Sequence, residues 1–304
     1  MTALTPDPLI PDGATASANA NAAADSLLAH VAADALALNA VQSLVDEAML
    51  TPKPGLVDMR GSGAHHDLSW PLMCASAWAL RPAFTDMALA GRTLAGQDAL
   101  LRRRIGAIGR EAEAAMLAAT GGVNTHRGAI WALGLLVTAA AGIAGAYDAG
   151  AIAARAGLLA RIDDPLAPRS TGNKGERACR EHGVGGARGQ ARAGFPQVVE
   201  HALPALRGAR ARGDTEAQAR VNALLAVMAT LDDTCLLARG GRAALQATQD
   251  GARRVLDAGG MATPDGRRLL AALEAQMAAQ HVSPGGAADL LAAALLLDRL
   301  EGRR

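Results

Sequence analysis

The chain has 304 residues and a formal net charge of +1, and half of its residues are hydrophobic although only 2% are aromatic. This length allows one large domain or two smaller ones, with a core that alanine, leucine and valine must fill. The near-neutral charge gives no general attraction to nucleic acid or anionic membranes. Six aromatic side chains are also too few for base stacking along a nucleic-acid strand. We therefore expect neither a nucleic-acid nor a membrane partner.

Cysteine usage and the N-terminal composition indicate a cytoplasmic protein. Cys74, Cys179 and Cys235 are odd in number, widely spaced and form no CxxC pair, which is typical of reduced thiols. No lysine or arginine precedes Lys53, so the N-terminus lacks the charge pattern of a signal or transit peptide. No uncharged apolar stretch reaches membrane-spanning length; residues 130–146 come nearest, and their three glycines fit a buried helix better.

The first part of the chain alternates helical patterns with irregular loops. Residues 1–24 contain almost no large apolar side chain and are predicted to be a disordered leader. Apolar residues then recur at helical spacing from Leu27, which predicts a helix that ends before Pro52. Two prolines and a glycine make residues 51–55 a rigid loop. Residues 61–67 form a second predicted loop, followed by a helix from about Ser69.

The rest of the chain is also predicted to be helical. Helical patterns cover residues 105–118, a segment from Thr125, and residues 149–162. Residues 163–195 are rich in glycine, proline and charge, and such long loops are usually functional or disordered. Further helices are predicted at residues 196–211, 215–236, 242–258, 264–279 and 286–301. These patterns predict a single multi-helix, all-α catalytic domain over residues 25–304, with functional glycine-rich loops.

The most informative segment is GGVNTHRG, residues 121–128, which a long apolar run follows at once. The two glycines let the backbone approach a ligand, and Asn124 or Thr125 can cap the helix that begins here. Free N–H groups in the first turn and the positive end of the helix dipole then face any bound anion. His126 and Arg127 stand in the same turn, so the segment predicts an anion-binding loop that also carries chemistry.

Other loops also carry polar groups. Residues 51–58 present Lys53 and Asp58 on a proline-fixed backbone, although solvated charges on a helix connector would give the same pattern. Two adjacent histidines in residues 63–67 suit a metal or a proton relay, but no second pair at ligand spacing supports zinc. Over residues 163–195, basic side chains interleaved with glycine suit a polyphosphate, the alternative being a solvated basic loop. These side chains are Lys174, Arg177, Arg180, Arg188 and Arg192.

Two acidic pairs complete the candidates. Glu111 and Glu113 point about 200° apart on a helix, so only one of them can face inward. Asp232 and Asp233 lie at the predicted C-terminus of helix 215–236, where carboxylates oppose the helix dipole. This position favours a metal or ligand role over a plain solvated helix end. A DDxxD diphosphate motif would need an aspartate at position 236, where the chain has leucine.

Together these motifs resemble the triphosphoribosyl-dephospho-coenzyme-A synthase family from about residue 40 to the C-terminus. They are TPKPGLVD (51–58), GAHHD (63–67), AEAAM (112–116), GGVNTHRGAIWALGLL (121–136), GARGQA (186–191), GFP (194–196), DDTCLLARGG (232–241) and SPGGAADLLA (283–292). The form with Cys235 is more similar to the malonate decarboxylase branch than to the citrate lyase branch, where we expect asparagine. Gln190 replaces a glutamate expected in many members, so an acidic role there is absent.

The resemblance implies a transferase that uses ATP in an uncommon way. The ribose 2′-hydroxyl of 3′-dephospho-CoA attacks C1 of the ATP ribose, adenine leaves and the triphosphate is kept. The product, 2′-(5″-triphosphoribosyl)-3′-dephospho-CoA, is the precursor of the acyl-carrier-protein prosthetic group of malonate decarboxylase. Its α linkage, formed from a β-nucleoside, implies inversion in a single displacement. Triphosphate carries about four negative charges, so Mg²⁺ is expected with it.

The resemblance also implies roles for individual residues. Metal coordination and the base for the 2′-hydroxyl proton fall to Asp58, Asp67, Glu113 and Asp233, with Glu113 or Asp233 favoured as the base. Phosphates would be held by Lys53, Arg127, Lys174, Arg188 and Arg239, together with the N–H groups beside Asn124 and Thr125. His126 would protonate the departing adenine or position a phosphate.

Two other function classes remain open at this point. An all-α Mg²⁺-dependent hydrolase of nucleotides or ADP-ribosyl groups would use the same carboxylates to activate water. A non-catalytic helical binding or carrier-assembly protein would show no turnover, and it would leave the glycine-rich polar loops unexplained. Helices rich in alanine and leucine are compatible with a homodimer.

Overall fold

A computed structural model of the chain describes residues 13–168 and 170–302, with side chains from residue 23 onward. These residues form α-helices, one short π-helical turn and one 3₁₀ turn, and no β-sheet, which confirms the all-α prediction. The helices are α1 (Gly13–Met49), α2 (Trp70–Ala79), α3 (Arg81–Thr93), α4 (Asp98–Ala119), α5 (Arg127–Ala141), α6 (Ala149–Arg161), α7 (Lys174–His182), α8 (Gly186–Arg192), α9 (Leu203–Ala211), α10 (Glu216–Met228), α11 (Thr234–Asp257), α12 (Pro264–Ala279) and α13 (Gly285–Glu301). The π turn is Gln197–Ala202 and the 3₁₀ turn is Gly260–Ala262.

Two apolar helices, α5 and α13, form the centre of the molecule. In α5 every residue from Ala129 to Ala140 except Trp131 is buried, and α13 is buried without a break from Leu290 to Leu297. Helix α5 packs against α13, α3 and α6, and α1 packs against α3 and α13. Burial on nearly every face identifies α5 and α13 as core helices rather than amphipathic surface helices. Their N-termini therefore reach the interior of the protein.

Small side chains let helices approach closely in a core with few aromatics. A Cβ atom added to Gly91 of α3 would lie 2.2 Å from the carbonyl oxygen of Thr138 in α5. No side chain fits in that space, so the two helices touch through their backbones. Beside this contact, Gly134 leaves room for the sulfur of Met87. Glycine and alanine thus replace the large interlocking side chains of an aromatic core.

The predicted disordered leader differs from the structure. Residues 1–12 lie outside the described residues, whereas α1 begins at Gly13, so residues 13–24 are helical. Seven of those twelve residues are alanine, the strongest helix former, and they extend a helix that is already packed against the core further along the chain. Leu27 and Val31, the first residues of the apolar pattern, are 66% and 60% exposed. The packed part of α1 begins at Ala33.

Helix α1 has the length and apolar composition of a membrane-spanning helix, although it contains charged residues. Among the described residues, Ala23–Met49 is the one helix long and apolar enough to cross a membrane by length and composition alone. Its most apolar window is 44% buried within the protein, and the core helices of soluble proteins pass the same test. Its contacts with α3 and α13 give α1 a structural role inside the fold.

The region predicted as one long loop, residues 163–195, contains α7 and α8. Asn173 caps α7, because its side chain accepts a hydrogen bond from the Glu176 N–H at 2.8 Å. Gly183 ends the helix in the left-handed conformation with φ 68°. The high polarity of this region reflects a short helix on the surface and not an irregular chain. Lys174, Arg177, Arg180 and Arg188 therefore lie on helical backbone.

Candidate active site

The polar loops converge on a cavity of about 910 Å³ formed at the helix ends. That volume lies at the upper end of the range typical of small-molecule sites. Every site residue predicted from the sequence lines this cavity except Asp58. The lining members are Lys53, Asp67, Glu113, Asn124, Thr125, His126, Arg127, Lys174, Arg188, Asp233 and Arg239.

Asp58 stabilises its own loop and does not face the cavity. Its carboxylate accepts the Lys53 N–H at 3.0 Å, the Arg60 N–H at 2.8 Å and the Arg60 guanidinium at 2.6 Å. Burial raises the pKa of this carboxyl, but hydrogen bonds from Arg60 and Lys53 outweigh burial and lower the pKa overall. Every strong acceptor position is thereby used within residues 51–60. Asp58 therefore stabilises its own loop in this arrangement, and metal binding by Asp58 stays a prediction.

Lys53 forms a buried ion pair at the cavity wall. Its ammonium nitrogen lies 2.5 Å from Oε1 of Glu47 and 2.5 Å from the Glu47 carbonyl oxygen. The two side chains are only 2% and 5% exposed. A lysine so enclosed is held in one position, with its charge balanced by a carboxylate that also lines the cavity. Glu47 was not identified from the sequence.

His126 lies at the N-terminus of α5 and is buried. Its Nδ1 lies 3.0 Å from the hydroxyl of Ser76, which is 2.6 Å from the hydroxyl of Thr125. Burial, and secondarily the charge of Lys53, lower the pKa of His126 to about 4. The imidazole is therefore neutral at pH 7. Nε2 has no partner among the described residues, so one ring nitrogen remains available to a ligand.

The start of α5 differs slightly from the predicted start. The helix begins at Arg127 with His126 at the N-cap position, and the Arg127 N–H donates to the side-chain oxygen of Asn124 at 3.2 Å. Asn124 therefore satisfies one free N–H of the first turn without being the N-cap residue. The Nε of Arg127 lies 3.0 Å from Oε2 of Glu113 on α4. Glu113 is thus the inward-facing member of the glutamate pair, whereas Glu111 is exposed. Glu113 is 40% exposed, so part of its carboxylate stays open to the cavity.

Asp233 begins a helix instead of ending one. Helix α10 ends at Met228, and Asp233 is the N-cap of α11, accepting the Cys235 N–H at 2.7 Å. Its other oxygen accepts the N–H of Ala287, in the first turn of α13, at 2.9 Å. Burial raises the pKa of Asp233 although these N–H groups oppose the shift. At the predicted helix C-terminus the dipole would have destabilised this carboxylate. In the structure the carboxylate faces the positive N-terminal ends of two helices, which stabilise it.

Asp289 is a central residue that was missed in the sequence. Its carboxylate lines the cavity against the first turn of α5, where a Cβ on Gly128 would lie 2.0 Å from Oδ2, and it accepts the Ala129 N–H. Burial raises the pKa of Asp289 well above its usual range, and the nearby charges of Glu47 and Asp233 raise it further. The available signal was an aspartate inside the apolar run GGAADLLAAALLL, where an unpaired charge is costly.

Basic side chains form a further part of the cavity lining, here called the basic rim. Helix α7 and the start of α8 contribute Lys174, Arg177, Arg180 and Arg188. Arg239 of α11 donates to the Ala64 carbonyl at 3.2 Å and lies 3.2 Å from Nδ1 of His65. The rim contains the fork-shaped donors that bind phosphate oxygens in pairs.

The described residues contain no group of three or more His, Cys, Asp or Glu side chains that could hold a metal ion. The four predicted metal ligands therefore do not form one coordination shell. The reasons are local, since Asp58 pairs with Arg60 and Asp233 is used by backbone N–H groups. Asp67 and Glu113 remain, and their carboxylates are 65% and 40% exposed. One or two such carboxylates suffice for Mg²⁺ that arrives on a polyphosphate.

Helix N-termini, a basic rim and enclosed carboxylates in a cavity of this size define an all-α enzyme with a site for a phosphorylated ligand. Comparison with known proteins gives the family. The model of the ATP:dephospho-CoA triphosphoribosyl transferase family matches residues 33–304. The chain belongs to this family and is a transferase.

Two relatives illustrate the similarity. A protein of Stutzerimonas stutzeri named "Probable 2-(5''-triphosphoribosyl)-3'-dephosphocoenzyme-A synthase" is 58% identical over 269 residues, which cover 88% of this chain and 92% of that protein. A Klebsiella pneumoniae protein named "2-(5''-triphosphoribosyl)-3'-dephosphocoenzyme-A synthase" is 54% identical over 267 residues, covering 88% and 95%. No solved structure shows a significant match.

Proposed function

We propose that the chain transfers the triphosphoribosyl group of ATP to the 2′-hydroxyl of 3′-dephospho-CoA and releases adenine. The observation that carries this proposal is the convergence of the polar loops on one cavity with a basic rim and enclosed carboxylates. Membership of the family supports the substrates, because its description and the relatives' names specify them. The cavity lining contains the two kinds of group that this reaction would need, namely basic side chains for a triphosphate and carboxylates that could accept a proton.

The triphosphate is assigned to the basic rim. Arg188, Arg239 and Lys174 would bind its oxygens, because guanidinium groups pair with phosphate in a bidentate manner and lysine adds a point charge. Asp67 and Glu113 would hold Mg²⁺, since their carboxylates remain open to the cavity. When bound, the ion would neutralise part of the triphosphate charge and fix its orientation.

Asp289 is the best-placed base for the 2′-hydroxyl proton. The new bond joins the 2′-oxygen to C1 of the ATP ribose, and the carboxylate accepts the hydroxyl proton. The bond from C1 to adenine N9 breaks, and adenine leaves with its electron pair and takes up a proton from water. A raised pKa makes Asp289 a stronger base than an ordinary carboxylate. Of the two residues favoured from the sequence, Asp233 is occupied by backbone N–H groups and Glu113 by Arg127. Both then serve better as positioning residues.

His126 would assist the departure of adenine by hydrogen bonding. With a pKa of about 4 it is neutral at pH 7, which argues against full protonation of the leaving group and against charge pairing with phosphate. When the Ser76 hydroxyl donates to Nδ1, Nε2 carries the ring proton and is free to donate. Such a bond stabilises the negative charge that develops on the leaving base.

Replacing His126 by alanine should lower kcat by at least about tenfold while the fold is retained, because one donor to the leaving group is lost. Steady-state kinetics with both substrates, together with circular dichroism, measure the two effects. A His126→Gln variant keeps a donor and should retain more activity than His126→Ala. Full activity of the alanine variant would remove His126 from the mechanism.

Adenine release tests the proposed reaction. With ATP and 3′-dephospho-CoA together, the enzyme should release one adenine per molecule of product, and with either substrate alone it should release none. Chromatography of the reaction mixture measures both species. Adenine or phosphate release from ATP alone would support the alternative, a Mg²⁺-dependent nucleotide or ADP-ribosyl hydrolase. No turnover under either condition would support a helical binding protein.

We also propose a cytoplasmic enzyme that supplies the acyl carrier protein of a malonate decarboxylase. The support is the segment DDTCLLARGG, residues 232–241, whose Cys235 resembles the malonate decarboxylase branch. The thiol of Cys235 lies at the cavity wall next to Asp233, and burial raises its pKa, so it remains protonated at neutral pH. It acts there as a small neutral side chain. A homodimer is a further proposal that sedimentation can test.

A further inference from the structure

Besides Nε2 of His126, two further buried polar atoms of cavity-lining residues have no hydrogen-bond partner among the described residues. They are the indole Nε1 of Trp131 and the side-chain Oε1 of Gln190, and both residues line the cavity. An indole nitrogen is only a donor, whereas an amide oxygen is only an acceptor. Buried polar groups without partners are rare in folded proteins and call for an explanation. A ligand with a complementary donor and acceptor supplies one.

The surroundings of these atoms are aromatic. Trp131 is on α5 and Gln190 is on α8, and these two helices pack against each other. The guanidinium of Arg102 lies over the Trp131 ring, 5.2 Å from its centroid, and thereby fixes the ring. Phe195 also lines the cavity, and its backbone N–H donates to the backbone carbonyl oxygen of Gln190 at 2.8 Å. Two of the six aromatic residues in the chain therefore line the cavity.

We propose that Trp131, Gln190 and Phe195 form a slot for an adenine base. Adenine presents a 6-amino donor beside ring-nitrogen acceptors, which matches the Gln190 acceptor and the Trp131 donor, and its flat face suits an aromatic wall. The inference deepens the proposed function, on which it rests for the identity of the ligand. Both substrates contain adenine, so the slot holds the base of either ATP or 3′-dephospho-CoA.

Base selectivity tests the slot directly. Inosine triphosphate keeps the ribose and the triphosphate of ATP but replaces the 6-amino donor with an oxygen. The parent enzyme should bind ATP more tightly than inosine triphosphate, and Gln190→Met should reduce that preference by about twofold to tenfold, the effect of one hydrogen bond. Gln190→Glu keeps the acceptor but has no amide donor to turn toward the oxygen, so it should keep or increase the preference. Calorimetric titration without the second substrate measures each affinity.

Control measurements distinguish loss of the adenine slot from general damage to the protein. Inorganic tripolyphosphate has no base, so its affinity should be the same in the parent, Gln190→Met and Trp131→Phe enzymes. Trp131→Phe keeps an aromatic ring but loses the Nε1 donor, and it should weaken ATP binding by about twofold to tenfold. Trp78→Phe is the matched control, because Trp78 is 48% exposed and lies away from the cavity. A parallel loss of ATP and tripolyphosphate affinity would overturn the slot.

A second titration identifies the source of the adenine. The same variants are titrated with 3′-dephospho-CoA and with its hypoxanthine analogue. Loss of selectivity for one of the two substrates supports the slot and assigns it to that substrate, whereas unchanged selectivity for both contradicts it. Because binding is measured without turnover, failure of the transfer reaction and failure of the slot give separate results.

Discussion

The Asp289→Asn variant should bind ATP with nearly the parent affinity but turn over about 10²- to 10⁴-fold more slowly, the usual contribution of a general base. Asparagine has the same shape but cannot accept the 2′-hydroxyl proton. In the parent enzyme, turnover should rise with pH as Asp289 loses its proton, through a pKa that burial and Glu47 raise above the usual range. Rapid-quench measurement of adenine release gives the rate of the chemical step. Asp257→Asn, at an exposed aspartate away from the cavity, should behave like the parent.

The same substitution should increase stability. Because the native state raises the pKa of Asp289, it binds more protons than the unfolded chain, so stability falls as pH rises above the unfolded value of about 3.9. Asparagine removes this loss and the repulsion from Glu47 and Asp233. Thermal unfolding at pH 5 and pH 8 should show the larger gain at pH 8. A variant that is both fully active and no more stable would contradict the assignment of Asp289.

Replacing Lys53 by methionine should destabilise the protein by about 3–5 kcal/mol, the effect of leaving one charge of a buried ion pair without its partner. Lys53 and Glu47 are 2% and 5% exposed, so water cannot take the place of the lost ammonium group. The variant should also lose activity, because Glu47 lines the cavity. Denaturant titration gives the free energy of unfolding.

Two further variants test whether the unpaired Glu47 charge causes this loss of stability. The double variant Lys53→Met with Glu47→Gln has no unpaired charge and should recover most of the stability. Arg268→Met breaks an ion pair with Asp265 whose side chains are 69% and 77% exposed, and it should change stability by less than about 1 kcal/mol. Equal destabilisation by Lys53→Met and Arg268→Met would show that the buried pair has no special role.

Much of the site could be predicted from polar residues in loops. Segments such as GGVNTHRG and GARGQA contain glycine and charge where a simple connector needs neither, and the structure places both at the cavity. Lys53, His126 and Arg239 come from three distant segments, yet each lines the same space. Loops at helix ends gather in this way because the core helices α5 and α13 bring their N-termini together. The all-α fold followed from the helical spacing alone.

Other features required the three-dimensional arrangement. Asp289 and Glu47 lie within largely apolar helices, and the groups that enclose them come from other segments. Asp289 lies against the first turn of α5, and Glu47 pairs with Lys53. The sequence places Asp233 at the end of helix 215–236, because apolar residues at helical spacing continue to Leu231. In the structure α10 ends at Met228, the chain turns, and α11 begins after Asp233. Nothing in the sequence around Asp58 distinguishes a carboxylate that stabilises its own loop from one that binds a ligand. Such distinctions depend on which groups approach from distant segments.

Oxygen tracing gives the most direct test of the central claim, that this cavity joins a hydroxyl of one substrate to the ribose of another. The enzyme would be incubated with ATP and 3′-dephospho-CoA in H₂¹⁸O, and the masses of the products would be measured by mass spectrometry. We expect one adduct that retains the triphosphate and contains no ¹⁸O, together with free adenine. Ribose triphosphate carrying one ¹⁸O atom at C1, with 3′-dephospho-CoA unchanged, would show that water is the acceptor and contradict the account.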